Sequence, residues 1–462
     1  MKLRRQVPRR TVISSGAGLA LATVAYTSNM QVASYVAGDS AWIAILTAGI
    51  ISIFASFCFS ELVGMYPTAA GIKLFIEKAF NERAALILAG LYVTISVFVV
   101  GAETYILSNV FQAAVPGVPM LFWIFLILTA IALMNIRGIR LAGNAQDLTA
   151  YFMFASLLAV SLYALFRGGF DLESPLQPGE PMGFLQAVAV GIFLYLGFEW
   201  VTPLVEEVTD FKLIPQGMLG AVGLLAVTYA LFSVAMTSTV AKELLASTPI
   251  PHVLFAREIF GPAGVGFMLL MSLVASITTF NAGLMTASRF VYALSRDRAL
   301  PAALSRLHPP YATPWAAILF LFLIAGAVSM AIYLTGAYKV LIFMGAAVEC
   351  ILYVVVALAV LNLRRREPGR ERPFRIPGGP TIPVVVAFIY GALLLLVFVP
   401  DPSNPGDAPE QLAALVTLVL TLAGIALYVF LGVPRLRAAY AARRAARRRR
   451  RPHRPKDTSA NS

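Results

Sequence analysis

Four carboxylates, Glu61, Glu103, Glu199 and Glu349, stand inside long apolar stretches of the sequence. An ionisable group within such a stretch is expensive to hold, and where the stretch crosses a membrane it marks a functional candidate. Burial favours the neutral acid, so a carboxyl of this kind can exchange protons near neutral pH. Glu103, in Gly101-Ala102-Glu103-Thr104-Tyr105, has two readings. Facing a binding site it would pair with an amine or carry a proton; facing a neighbouring helix it would be a satisfied neutral acid. Glu199 reads as a second coupling candidate, or as a hydrogen-bonding anchor for an irregular segment. Glu61, near the end of its stretch, reads as structural, and Glu349 as buried.

Two apolar stretches carry interruptions. The first holds the polar cluster Tyr26-Thr27-Ser28-Asn29. The second reads Gly191-Ile192-Phe193-Leu194-Tyr195-Leu196-Gly197-Phe198-Glu199, with Pro203 beyond. Broken membrane helices in corresponding positions point to a transport site. One half-helix offers free N–H groups to a carboxylate, and the other offers carbonyls to a cation. A zwitterionic amino acid matches that pair of ends. Close helix packing at Gly191 and Gly197 is the alternative.

Other chemistries find no support. His252, His308 and His453 fall in loops or the tail, and Cys58 and Cys350 lie in apolar runs, so no metal centre, cofactor or disulfide framework is expected. Phosphate-loop, H-E-x-x-H and G-x-S-x-G patterns do not occur, and an enzyme is not expected.

The elements that must position these groups follow from composition. Of 462 residues 59% are hydrophobic and 13% charged, which excludes both an ordinary soluble domain and a disordered chain. Apolar stretches fall near 11–37, 41–63, 84–113, 120–138, 147–166, 183–206, 217–240, 264–292, 314–334, 338–362, 381–399 and 411–433. They predict an all-α polytopic membrane protein of 12 transmembrane helices, since a long spanning segment satisfies its backbone only as a helix. The first stretch is too long for a signal-peptide core and is expected to remain uncleaved. Placing the amino-terminal segment 1–10 in the cytoplasm puts 32 of the 36 Lys and Arg residues on that side. Both termini are therefore expected to be cytoplasmic, in the plasma (inner) membrane. The basic tail 434–462 reads as disordered, resting on anionic lipid headgroups; nucleic acid is not an expected partner.

The segments Glu61-Leu62, Tyr66-Pro67 and Ala70-Gly71 are similar to the region after the second span of amino acid–polyamine–organocation (APC) permeases. Gly197-Phe198-Glu199 through Glu206-Glu207-Val208 to Ile214-Pro215 resembles that superfamily's sixth-span signature. Ser288 through Asp297, with Leu300-Pro301 and Thr313-Pro314-Trp315, resembles the segment after the eighth span. Arg364 to Pro368, with Arg372-Pro373-Phe374-Arg375 and Pro377-Gly378, resembles the loop after the tenth.

The resemblance implies a leucine-transporter-type fold, with two inverted five-helix repeats (11–166 and 183–362) and two peripheral helices (381–433). It implies alternating access, with a small-molecule substrate held by Tyr26, Thr27, Ser28, Asn29, Met30, Phe193, Leu194, Gly197 and Phe198. Backbone N–H groups of Ser28, Asn29 and Met30 would bind the carboxylate, and Phe193 would close over it. The family's glycine-rich first-span motif is placed on Thr27-Ser28-Asn29, where side chains replace glycine. A fifth-span lysine used by some proton-coupled relatives has no counterpart between Leu141 and Phe166. A sodium site would draw on Ser272, Ser276, Thr278, Thr279 and Asn281. The expected function is secondary active amino acid transport coupled to protons rather than sodium. Alternatives are a polyamine or organic-cation importer, an amino acid/amine antiporter, or a transporter-like substrate sensor.

Overall fold

The computed structural model describes residues 7–18, 20–34, 40–68, 71–137, 142–168, 181–206, 208–311, 313–400 and 407–449. Residues 1–6 and 450–462 of the terminal segments, and Ala70 and Glu207 of the motifs, lie outside this set. Among the described residues the secondary structure is helical, apart from an isolated parallel bridge between Val7 and Val208.

The first stretch forms two helices, α1 (Arg9–Gly18) and α2 (Thr23–Ser34). Next come α3 (Ala41–Met65), the short α4 (Gly71–Ala79), α5 (Glu82–Ala114), α6 (Met120–Arg137) and α7 (Ala142–Gly168). α8 (Pro181–Gly191) runs into two 3-10 stretches, Ile192–Tyr195 and Phe198–Glu206. They are followed by α9 (Leu213–Thr239), the short α10 (Lys242–Ala246) and α11 (Pro251–Phe260), then α12 (Pro262–Arg296) and α13 (Trp315–Thr335). The chain ends in α14 (Tyr338–Arg366), α15 (Thr381–Leu396), α16 (Ala408–Leu427), a π-type turn at Tyr428–Gly432 and α17 (Val433–Arg449). Among the described residues, nine segments are long and apolar enough to cross a membrane, and Met120–Ile136 and Thr381–Leu396 are shorter apolar helices.

Local chemistry sets several ends. Asn81 caps α5 by accepting from the Ala84 amide at 2.9 Å. Gly336 ends α13 with φ +70°, a conformation open to glycine. The spans differ in what surrounds them. The apolar window of α14 is 83% buried, that of the last span 17%. α14 is therefore central, packed on α3, α5 and α15, whereas α16 turns Leu412, Leu420 and Leu427 outward, as a lipid-facing helix does.

On the face that carries the amino terminus, Glu61 of α3 is fully buried and gripped from α14. Arg364 donates to its two oxygens at 2.8 and 2.5 Å, Arg372 pairs with it at 3.3 Å, and the Ile376 amide adds a bond at 3.0 Å. Its structural reading is thus physically grounded: the buried carboxylate is compensated by two guanidinium groups and a backbone amide. The clamp also joins two segments that sequence resemblance singled out some 300 residues apart. The expectation of disorder from residue 434 needs correction, because α17 extends to Arg449. Its Ala- and Arg-rich composition favours helix, and Arg437 bonds both oxygens of Glu82 at 3.1 and 2.5 Å.

Candidate functional site

Among the described residues the first interruption covers 20–22, between α1 and α2. This corrects its placement at Tyr26-Thr27-Ser28-Asn29, which are helical within α2. Only the first few amides of a helix lack internal acceptors, so the free ones lie around Thr23, and those of Ser28, Asn29 and Met30 are not free. The missed signal is Gly16-Ala17-Gly18, which closes α1. A Cβ on Gly18 would lie 2.1 Å from Gln146 Nε2, so a larger residue there would displace the Gln146 side chain.

The carbonyls near the break find donors on other helices, as buried backbone groups must. Tyr229 Oη of α9 donates to the Ala20 carbonyl at 2.5 Å and Thr279 Oγ1 of α12 to Gly18 at 3.2 Å, while Gln146 Nε2 of α7 reaches Ser14 at 3.3 Å. Tyr229 and Gln146 were not singled out by sequence, since no local pattern marks either as a partner of the first span. Within α2, Thr27 Oγ1 donates to the Pro249 carbonyl at 2.7 Å and Asn29 Nδ2 to that of Tyr229 at 3.0 Å. Tyr26 Oη, Ser28 Oγ and Asn29 Oδ1 are buried with no protein partner among the described residues. Buried polar atoms are rarely left so, and three occur within one turn. Met30 is buried beside them.

The second interruption lies where expected. Gly197 has φ +105°, which a side chain rarely tolerates, so it is required by the turn itself rather than by packing alone. Phe193 is buried against α14: a Cβ on Gly345 would come within 2.4 Å of its ring. Phe198 points elsewhere, into an aromatic cluster with Phe59 and Tyr353 at centroid separations of 6.0 and 5.5 Å. The structure thus separates the two aromatics, and Leu194 is buried between them in sequence.

The carboxyls are likewise resolved. Glu103 of α5 accepts from Ser276 Oγ of α12 at 2.5 Å. Glu199 accepts from Tyr353 Oη of α14 at 3.2 Å. Among the hydroxyls considered for sodium, Thr279 reaches a first-span carbonyl. Ser272 bonds His252, Ser276 bonds Glu103, and Thr278 bonds Thr149. The Asn281 side chain lies outside the description.

Contacts among the described residues cross both approaches to the breaks. On the face opposite the amino terminus, α11 lies over α2. Its His252 is fully buried, 4.6 Å from the Tyr26 ring, with Nε2 2.9 Å from Ser272 Oγ. Burial pushes the imidazole down to about 3. On the amino-terminal face, Asp147 of α7 accepts from Thr11 Oγ1 at 2.8 Å and Ser14 Oγ at 2.5 Å and pairs with Arg10 Nε at 3.2 Å.

A multi-pass helical membrane protein with its first and sixth spans broken and contacts crossing both approaches has the architecture of a transporter. The same fold occurs in a crystal structure of a mutant manganese transporter of Eremococcus coleocola, with a TM-score of 0.59 covering 92% of this chain and 94% of that one at 11% identity. The amino acid permease family profile matches residues 10–423, and the chain belongs to that family. The methylthioribose transporter of Bacillus subtilis is 25% identical, covering 81% of this chain and 84% of the relative. The branched-chain amino acid permease BcaP of the same organism is 24% identical, covering 78% and 81%. Its serine/threonine exchanger SteT is also 24% identical, covering 83% and 88%.

Proposed function

We propose that the protein takes up an amino acid by proton-coupled alternating access, in the plasma (inner) membrane with both termini cytoplasmic. The observation that carries this reading is the polar α2 segment beside the first break. Free amides around Thr23 face no internal acceptor, and Tyr26 Oη, Ser28 Oγ and Asn29 Oδ1 lie within two turns of them. A helix amino terminus favours an anion, so the substrate carboxylate binds there. The 3-10 segment Ile192–Tyr195 leaves carbonyls for the amine, and Phe193 closes over the ligand from α14.

Protons are favoured over sodium because Glu103 and Glu199 are buried acids beside the two breaks. The reading in which Glu103 binds a cationic substrate gains nothing from its bond to Ser276. In this orientation the Asp147 latch closes the cytoplasmic side and α11 the outside.

A binding screen on the purified protein tests the site. Leucine and serine should raise its melting temperature, whereas leucinamide and N-acetyl-leucine, each lacking one charge, should not. Equal stabilisation by leucinamide and putrescine would overturn carboxylate recognition at α2.

A further inference from the structure

Glu349 is the buried acid that the transport scheme leaves without a task. It lies on α14 with Gly345 one turn before and Tyr353 one turn after, so the three share one stripe of that helix. Gly345 supports Phe193, and the Tyr353 hydroxyl donates to Glu199 Oε2 at 3.2 Å. Glu349, one turn away on the same stripe, lies close enough to that hydroxyl to interact with it.

Proton counting limits what this arrangement can be. A tyrosine hydroxyl has one hydrogen to donate. If Glu199 receives it, the bond to Glu349 forms with a hydrogen from Glu349; exchanging the two roles gives the same count. The trio therefore holds one carboxyl proton whenever both bonds are made. Glu199 Oε1 and Glu349 Oε1 are buried with no protein partner among the described residues. Removing the shared proton would leave two carboxylates repelling each other in apolar surroundings, each with an unsatisfied oxygen. The titratable groups that bear on the pair are Tyr92 of α5, Tyr390 of α15 and Cys350 of α14 itself, all acids themselves.

We propose that Glu349 and Glu199, bridged by Tyr353, form a single proton-binding site one turn from the support of Phe193. The proposal deepens the proton-coupled reading above. No bond other than O–H is made or broken: the site takes a proton from water when open to one side and returns it to water on the other.

Infrared titration of the carboxyl band, on the full chain in lipid, reads the site without any substrate. Glu349→Gln and Glu199→Gln should each shift the titration of the acid that remains, because each removes its partner, and Tyr353→Phe should shift the midpoint of the intact pair. Two bands that titrate independently, each lost with its own substitution and unmoved by the other, would overturn the proposal. Should Glu349→Gln fail to fold, Tyr353→Phe decides alone, and an unshifted midpoint overturns it. The outcome is separable from the transport reading, since a chain that moves substrate without a proton gradient could still show the coupled titration.

Discussion

The ring of Phe193 rests on Gly345, where even one added carbon would lie 2.4 Å from two ring atoms. The ring fits there only because α14 is bare at that point, and the proposed closure over a ligand depends on it. Gly345→Ala should displace the ring, and overpacking of this kind costs roughly 1–3 kcal/mol. Spent on closure, that slows transport about ten- to a hundredfold, each ~1.4 kcal/mol being a factor of ten. Uptake per folded protein measures it, and Phe193→Leu in the same chain should restore part of the loss. Wild-type uptake by Gly345→Ala would remove Phe193 from the closing step.

The Glu61–Arg364 clamp predicts a loss of stability rather than of transport chemistry. Glu61 is wholly buried, and removing its main partner leaves a charge under-compensated. Arg364→Ala should destabilise by about 3 kcal/mol, the lower end for buried pairs because the arginine retains 17% exposure. A clearly lower melting temperature in detergent is expected, and an unchanged one would contradict the assignment.

Arg437 and Glu82 form the contrasting case, with side chains 37% and 44% exposed. Surface pairs contribute about 0–1 kcal/mol. Arg437→Ala should therefore leave the melting temperature nearly unaltered; a drop as large as that for Arg364→Ala would mean that α17 is integral to the fold.

His252 makes the α11 closure sensitive to acid. Its imidazole is held down to about 3 when shut, against an exposed value of about 6.5. The depressed value favours the shut state fully above about pH 6.5, and that contribution declines as the pH falls toward 3. Acidifying the α11 side from neutrality to pH 5.5 should expose the site. Labelling of Ser28→Cys by an impermeant maleimide should rise, and His252→Gln should flatten the response. A pH-independent labelling rate in the wild-type background would refute the device.

Much of this was legible in the sequence, for identifiable reasons. The break at Gly197 was readable because glycine in an apolar run has few other uses, and the all-helical membrane architecture because long apolar stretches admit few alternatives; the count of twelve is not matched, nine helices among the described residues being long and apolar enough to span, with two shorter ones. The break in the first span was read about seven residues late. Polar residues drew attention to Tyr26–Asn29, yet a buried helix tolerates polar side chains when other helices supply partners, as Pro249 and Tyr229 do for Thr27 and Asn29. Gly16 and Gly18, by contrast, carry no polar side chain to mark a break. Tyr353 escaped notice for another reason: its value lies in joining Glu199 to Glu349, a relation between the 3-10 stretch Phe198–Glu206 and α14 that no local pattern encodes. The helicity of residues 434–449 was hidden by charge, which suggests disorder until Glu82 is seen opposite Arg437.

The most direct test of the central claim is uptake into proteoliposomes of the purified full chain, with labelled leucine and serine under an inward proton gradient, an inward sodium gradient or neither. The account predicts accumulation above equilibration with the proton gradient alone. Accumulation driven by sodium, or movement only in exchange for preloaded amino acid, would contradict it.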